Sequence, residues 1–185
     1  MRDKSTIWDS PTSFGSVSRA FHWVMALMLF WQFASVILRA VAKDTAVYKL
    51  FWSAHFQLGF AILVLAILRS IWGFANLSRR PQLEGVTGML ATLVHLLIYG
   101  LMLAVPFVAL LRNYANDRGF SFLGIQIFGQ TGMKNSELAL VGNWHGFMGW
   151  VLLVLVVGHV AMALIHHFVL RDNTLRYMAG PRQAV

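Results

Sequence analysis

The chain has 185 residues, 58% of them hydrophobic and 12% charged, which excludes an ordinary soluble globule and fits one integral membrane domain over residues 1–185. There is no cysteine, so disulfides, iron–sulfur clusters and thiolate ligation are excluded, and any cofactor metal falls to His or Met. The formal net charge of +8 could suggest nucleic acid, but the Lys and Arg residues lie between apolar runs and read as membrane-flanking anchors, with no nucleic-acid partner.

Residues 1–18 are polar, with Arg2, Asp3, Lys4 and Asp9, and read as a tail leading to a helix start near Ser16 or Ser18. The first span is expected at about 20–42. Ala40-Val41-Ala42 has the small-residue spacing of a cleavage site, but the apolar run is longer than a signal h-region and begins with His22 and Trp23, so it is read as a retained helix. The second span is expected at about 51–74. The third, about 89–111, carries Pro106, which a membrane helix tolerates. Between these two lie Arg79, Arg80 and Pro81. The longest connection is 112–143. Its segment FSFLGIQIFG is apolar but too short to cross, and is expected at the interface. The fourth span is expected at about 145–170. Trp23, Trp31, Trp52, Trp72, Trp144 and Trp150 fall near span ends and read as interfacial belts, and the nine Met residues read as packing.

Loop charge sets the orientation. With both termini in the cytoplasm, the inner side holds Arg2, Lys4, Arg19, Arg69, Arg79, Arg80, Arg171, Arg176 and Arg182. The outer side holds Arg39, Lys43, Lys49, Arg112, Arg118 and Lys134. The bias predicts cytoplasmic N and C termini, and the outer face is also net positive.

The fourth span carries His145, His159, His166 and His167, four of the seven histidines. Ionisable groups inside a membrane segment are costly and point to function. At about 100° and 1.5 Å per residue, His145 and His159 fall within roughly 40° of one another and roughly 21 Å apart along the axis. His166 continues that face, and His167 points roughly 100° away. Imidazoles on one face, one in each half of the membrane, suit two stacked haem irons rather than zinc, whose ligands converge on one point. Depth along each span then pairs His55 with His145 on the outside and His22 with His159 on the inside. Each of the four has a small residue at i+4: Ala26, Gly59, Gly149 and Ala163. A small side chain one turn along leaves room for a flat macrocycle, so Gly59 and Gly149 are candidate haem-packing positions. His95 has Tyr99 at i+4 and is expected to be a helix–helix hydrogen-bond partner.

The motifs SRAFHW, HFQLG, His95…Tyr99…Val105-Pro106, WHGFMG and HHFVLRDNTLRYM occur in this order. With these, the chain resembles the bacterial cytochrome b561 family, whose best-understood function is membrane-bound superoxide oxidase. The resemblance covers about Arg19 to Met178. It implies an all-α fold, an integral membrane four-helix bundle with two b haems between the helices, in the bacterial inner membrane. It implies His22, His55, His145 and His159 as axial ligands of the haem iron, and ubiquinone near the inner haem with His166 as its contact. It also implies a reaction. Superoxide gives up an electron at the outer face, leaving dioxygen, and electrons pass inward to ubiquinone. Arg112, Arg118 and Lys134 are candidate steering charges for that anion. Two other readings fit the same residues. One is a di-haem membrane anchor passing electrons between quinone and a soluble redox partner docked on the long outer loop. The other is a structural or metal-carrying four-helix membrane protein, which would be colourless when purified from haem-replete cells.

Overall fold

The computed structural model describes residues 7–81 and 85–179. Arg2, Asp3, Lys4 and Arg182, used above for the tail and the charge bias, lie outside the described residues. Four apolar helical segments are long enough to cross a membrane: Ser16–Val41, Ala46–Ala75, Gly85–Ala115 and Ser136–Leu170. The first is α1 (Ser16–Val41) and the third is α4 (Gly85–Ala115). The second is broken at Ala54 into α2 (Ala46–Ser53) and α3 (His55–Ala75). The fourth comprises α5 (Ser136–Gly142), α6 (Trp144–Ile165) and one π-helical turn, His166–Leu170. A last short helix, α7 (Thr174–Ala179), follows. Four such segments in succession put Ser16 and Leu170 at the same end of the bundle, here called the tail side; the connection after α4 is at the other, the loop side.

The apolar residues form one layer where the four helices meet. Met25 and Leu29 of α1, Ile62 and Ala66 of α3, Ile98 and Met102 of α4, and Leu152 of α6 are buried against each other. Leu152 is midway between His145 and His159 in sequence, so this layer lies between the two histidine levels. Large side chains on the outer faces, such as Leu27, Phe30, Ile71, Phe107 and Val154, are exposed, as lipid-facing positions require.

The connection after α4 is more ordered than an apolar interfacial segment. Phe120–Phe122 (β1) and Ile125–Phe128 (β2) pair antiparallel. Leu123 and Gly124 turn the chain with φ of 48° and 85°, the two positive values that a tight hairpin turn needs. Phe120 is buried, and its ring packs on Phe60, 5.3 Å between ring centres. Gln57 of α3 donates to the Ser121 carbonyl at 3.0 Å. The hairpin is therefore fastened to the loop-side end of α3. Helix α5 is fastened to α4 by close approach: a Cβ on Gly142 would sit 2.3 Å from Arg112 Cβ, so only glycine fits.

The first described residues are a packed cap rather than a solvated tail. Trp8 stacks on Trp72 of α3 with ring centres 4.8 Å apart, and Arg79 lies 4.7 Å over the Trp8 ring. Asp9 is buried. Its carboxylate accepts from Gly15 N–H at 2.8 Å and pairs with Arg80 at 3.3 Å. The fully buried Asn76 accepts from Asp9 N–H. An ion pair at this depth needs those extra bonds to offset desolvation.

Candidate haem-binding site

The structure brings the predicted histidines together in two pairs. On the loop side, His55 begins α3 and His145 is in the first turn of α6; their ring centres are 6.3 Å apart. On the tail side, His22 of α1 and His159 of α6 are also 6.3 Å apart. A metal bound at roughly 2 Å from each facing nitrogen, with about 1.1 Å from nitrogen to ring centre, sets two opposed imidazoles about 6.2 Å apart. Both pairs match. His95 also leans on His159, at 5.0 Å. That gap is too short for an iron bound between opposed nitrogens, which favours His22 as the partner of His159. His95 Nδ1 bonds the Ala91 carbonyl of its own helix, not another helix as the sequence suggested.

The loop-side pair is set for ligation by its hydrogen bonds. The Val105 carbonyl can only accept, so His145 Nδ1–H donates to it at 2.9 Å. Ser35, fully buried, spends its proton on the Gln32 carbonyl at 2.7 Å and accepts from His55 Nδ1–H at 2.8 Å. Both Nε2 atoms then carry a free lone pair, the form a metal requires. Trp52 stacks on the His55 ring at 4.6 Å and 15°, and Arg39 lies over the Trp52 ring at 4.6 Å. Beside the pair opens a cavity of about 650 Å³, lined by Gly59 and Gly149 as well as both histidines. A Cβ on Gly149 or Gly146 would meet nothing within 4 Å, so open space adjoins α6 at these positions. At Gly59 a Cβ would meet the Gln32 amide at 3.1 Å. This volume is in the range of organic-ligand sites, and its walls carry more apolar than polar groups. A flat apolar macrocycle fits.

The tail-side pair has the same separation but a different neighbour. Arg69 of α3 places a guanidinium nitrogen 3.3 Å from His22 Nδ1 and stacks over Tyr99 of α4 at 5.3 Å. A guanidinium only donates, so His22 accepts at Nδ1 and its proton resides on Nε2. That tautomer has no free lone pair on Nε2, so it cannot ligate a metal through that nitrogen. The pair fits an iron by distance, and it fits by chemistry once Arg69 releases Nδ1. Arg69 was expected only as an inner-side charge; its contact with His22 was not visible in the sequence.

Of the predicted steering charges, Arg112 and Arg118 line the loop-side cavity, together with Arg39, which the sequence reading had not singled out. Lys134 is exposed and is not part of the lining. His166 lies beyond the tail-side pair, where its Nδ1–H donates to Asp172. That bond, with the Thr174 N–H donated to the other carboxylate oxygen at 2.9 Å, holds the Asp172 carboxyl below the ordinary carboxylate range. His167 turns its ring edge onto Phe168 instead.

The motifs acquire physical roles here. In SRAFHW, Ser18 accepts from Trp72 Nε1 at 2.9 Å and Trp23 Nε1 donates to the Met178 carbonyl at 3.2 Å. In HFQLG, Gln57 holds the hairpin and Gly59 lines the cavity. In the third motif, His95 touches His159, Tyr99 underlies Arg69 and Val105 orients His145.

The family model for prokaryotic cytochrome b561 matches residues 13–181. Among curated proteins, the chain is similar to cytochrome b561 homolog 2 of Escherichia coli K12, 26% identical over 176 residues, covering 93% of this chain and 94% of that one. It is similar to cytochrome b561 homolog 1 of the same organism, 28% identical over 166 residues, covering 88% and 94%. It is also similar to a protein of Yersinia pestis named probable superoxide oxidase CybB, 28% identical over 161 residues, covering 85% and 90%. With four apolar crossings and a match over nearly its whole length, the chain belongs to the prokaryotic cytochrome b561 family, the b-type haem proteins that transfer electrons in membranes.

Proposed function

We propose that this protein is a superoxide:ubiquinone oxidoreductase of the bacterial inner membrane, with its tail side in the cytoplasm and its loop side in the periplasm. Two haem b groups would be held, one by His55 and His145 and one by His22 and His159. The observation that carries this reading is the repeated 6.3 Å separation of facing imidazoles at opposite ends of the bundle. Haem at each pair supplies one-electron relay chemistry across the bilayer.

The residues divide the remaining work. Arg39, Arg112 and Arg118 line the loop-side cavity, and their charge raises the local concentration of a small anion such as superoxide. Superoxide gives up one electron there and leaves as dioxygen. Ubiquinone takes two electrons and two protons at the tail side, so two superoxides are consumed per quinol. His166 hydrogen-bonds a quinone carbonyl. The name carried by the Yersinia relative supports the superoxide half. The net-positive outer face read from the sequence supports the same half.

The test is rapid mixing of the purified protein with superoxide and a short-chain ubiquinone. The expected result is reduction of the haem absorbance bands without any added protein, followed by quinol. His55→Ala should slow the first phase; His159→Ala should leave a first phase but stop quinol formation. Bands that stay oxidised until a soluble redox protein is added would overturn superoxide oxidation in favour of the membrane-anchor reading.

A further inference from the structure

The exit of the fourth span has an unusual backbone. The α-helix widens into one π-helical turn over His166–Leu170, and Arg171 follows with φ of 54°, a left-handed value that non-glycine residues seldom adopt. This pair of departures folds the chain back on itself. Asp172 N–H reaches the His166 carbonyl at 3.1 Å, and the Asp172 carboxylate reaches the His166 ring. A straight α-helical continuation would put residue 172 roughly 240° around the axis from residue 166, out of reach. The same carboxylate spends its second oxygen on Thr174 N–H, which starts α7. The aspartate of the exit motif thereby acquires a role.

A histidine whose Nδ1–H is held by a carboxylate presents Nε2 as a defined acceptor and is stabilised when it becomes doubly protonated. Both side chains are part-exposed, 29% for His166 and 39% for Asp172, so protons can reach them from the tail-side water. Asp172 faces the imidazole as a carboxylate, and the His166 bond holds its carboxyl below the ordinary value.

Resting on the quinone reading above, we propose that Asp172 is a positioning residue that fixes the His166 imidazole as the proton donor for quinone reduction at the tail side. Two superoxides supply two electrons, and two protons arrive from tail-side water, at least one of them through His166. Quinone becomes quinol, two dioxygens leave, and charge balances. Asp172 itself never touches the quinone.

The experiment uses the full-length haem-loaded protein, with quinol formation from superoxide and ubiquinone read in water and in deuterium oxide. Asp172→Asn removes the charge facing His166. Asp172→Ser retains a hydroxyl able to cap Thr174 N–H but not to hold the imidazole. Both should lower quinol formation about tenfold or more, with a larger solvent isotope effect, while the haem bands still reduce at the wild-type rate. In a His166→Ala background, Asp172→Asn should add nothing. Wild-type quinol rates in both Asp172 variants, or a full further loss in the His166→Ala background, would overturn the positioning role alone. Wild-type protein that makes no quinol, or makes it equally well without His166, would overturn the quinone reading and this inference with it.

Discussion

On the loop side, each imidazole gives its Nδ1 proton to an oxygen from a different helix, Ser35 of α1 for His55 and Val105 of α4 for His145. On the tail side, His22 accepts a hydrogen bond from Arg69 instead, and no carboxylate pairs with that arginine among the described residues. The ring separations are equal, so distance does not distinguish the two ends; the direction of one hydrogen bond does. On the loop side these hydrogen bonds leave both Nε2 lone pairs free to take a metal. On the tail side, a metal at His22 Nε2 would need Nδ1 to hold the proton, and so would need the Arg69 hydrogen bond to be given up. Moved off Nδ1 but still beside the pair, the Arg69 cation would favour electron arrival at a haem held there, since positive charge stabilises the reduced state.

The largest effects should come from breaking either pair outright. His145→Ala and His159→Ala should each lower haem content, measured by pyridine haemochrome, to roughly half of a two-haem protein, because each removes one of two axial bonds at one site only. Unchanged haem content in either variant would remove that histidine from the ligand set. Gly149→Leu fills the open space beside α6 and should remove the loop-side haem while the tail-side haem persists.

Next are the hydrogen-bond partners. Ser35→Ala takes away the acceptor for His55 Nδ1–H and should weaken haem retention at the loop side on the order of 10–100-fold, with no change at the tail side. Arg69→Gln should do something different: haem content is retained, and one midpoint potential falls while the other is unchanged. Each 59 mV of that fall is about a tenfold change in a one-electron equilibrium. Equal shifts in both potentials would break the contrast between the two ends.

The smallest effect belongs to the surface charges. Replacing Arg112 and Arg118 together by Gln should lower the superoxide rate constant several-fold at low salt, and the difference should shrink as ionic strength rises. Loss of haem in that double variant would assign these arginines to cofactor retention rather than steering.

How much of this was legible in the sequence depends on whether one helix or several carry the information. The four crossings follow from apolar run length. The pairing of His55 with His145 and His22 with His159 follows from depth alone, since every span crosses the same slab. The helix break at Ala54 and the hairpin at 120–128 were harder. The hairpin did leave a trace, in the alternation of Phe120 and Phe122, then Ile125 and Ile127, on either side of Leu123-Gly124, but its short apolar run also suits an interfacial segment. The Ser35, Val105 and Arg69 contacts join residues on different helices, and no spacing rule specifies which turn of one helix faces which turn of another. The Asp9–Arg80 and Trp8–Trp72 contacts were hidden for the same reason: polar tail residues read as solvated until a partner distant in sequence is seen.

The most direct test of the two-pair account is an anomalous iron map of crystals of the purified protein. The account predicts two iron peaks per chain, one between His55 and His145 and one between His22 and His159, with Arg69 withdrawn from His22 Nδ1. A single peak, or a tail-side peak bound by His95 in place of His22, would contradict it.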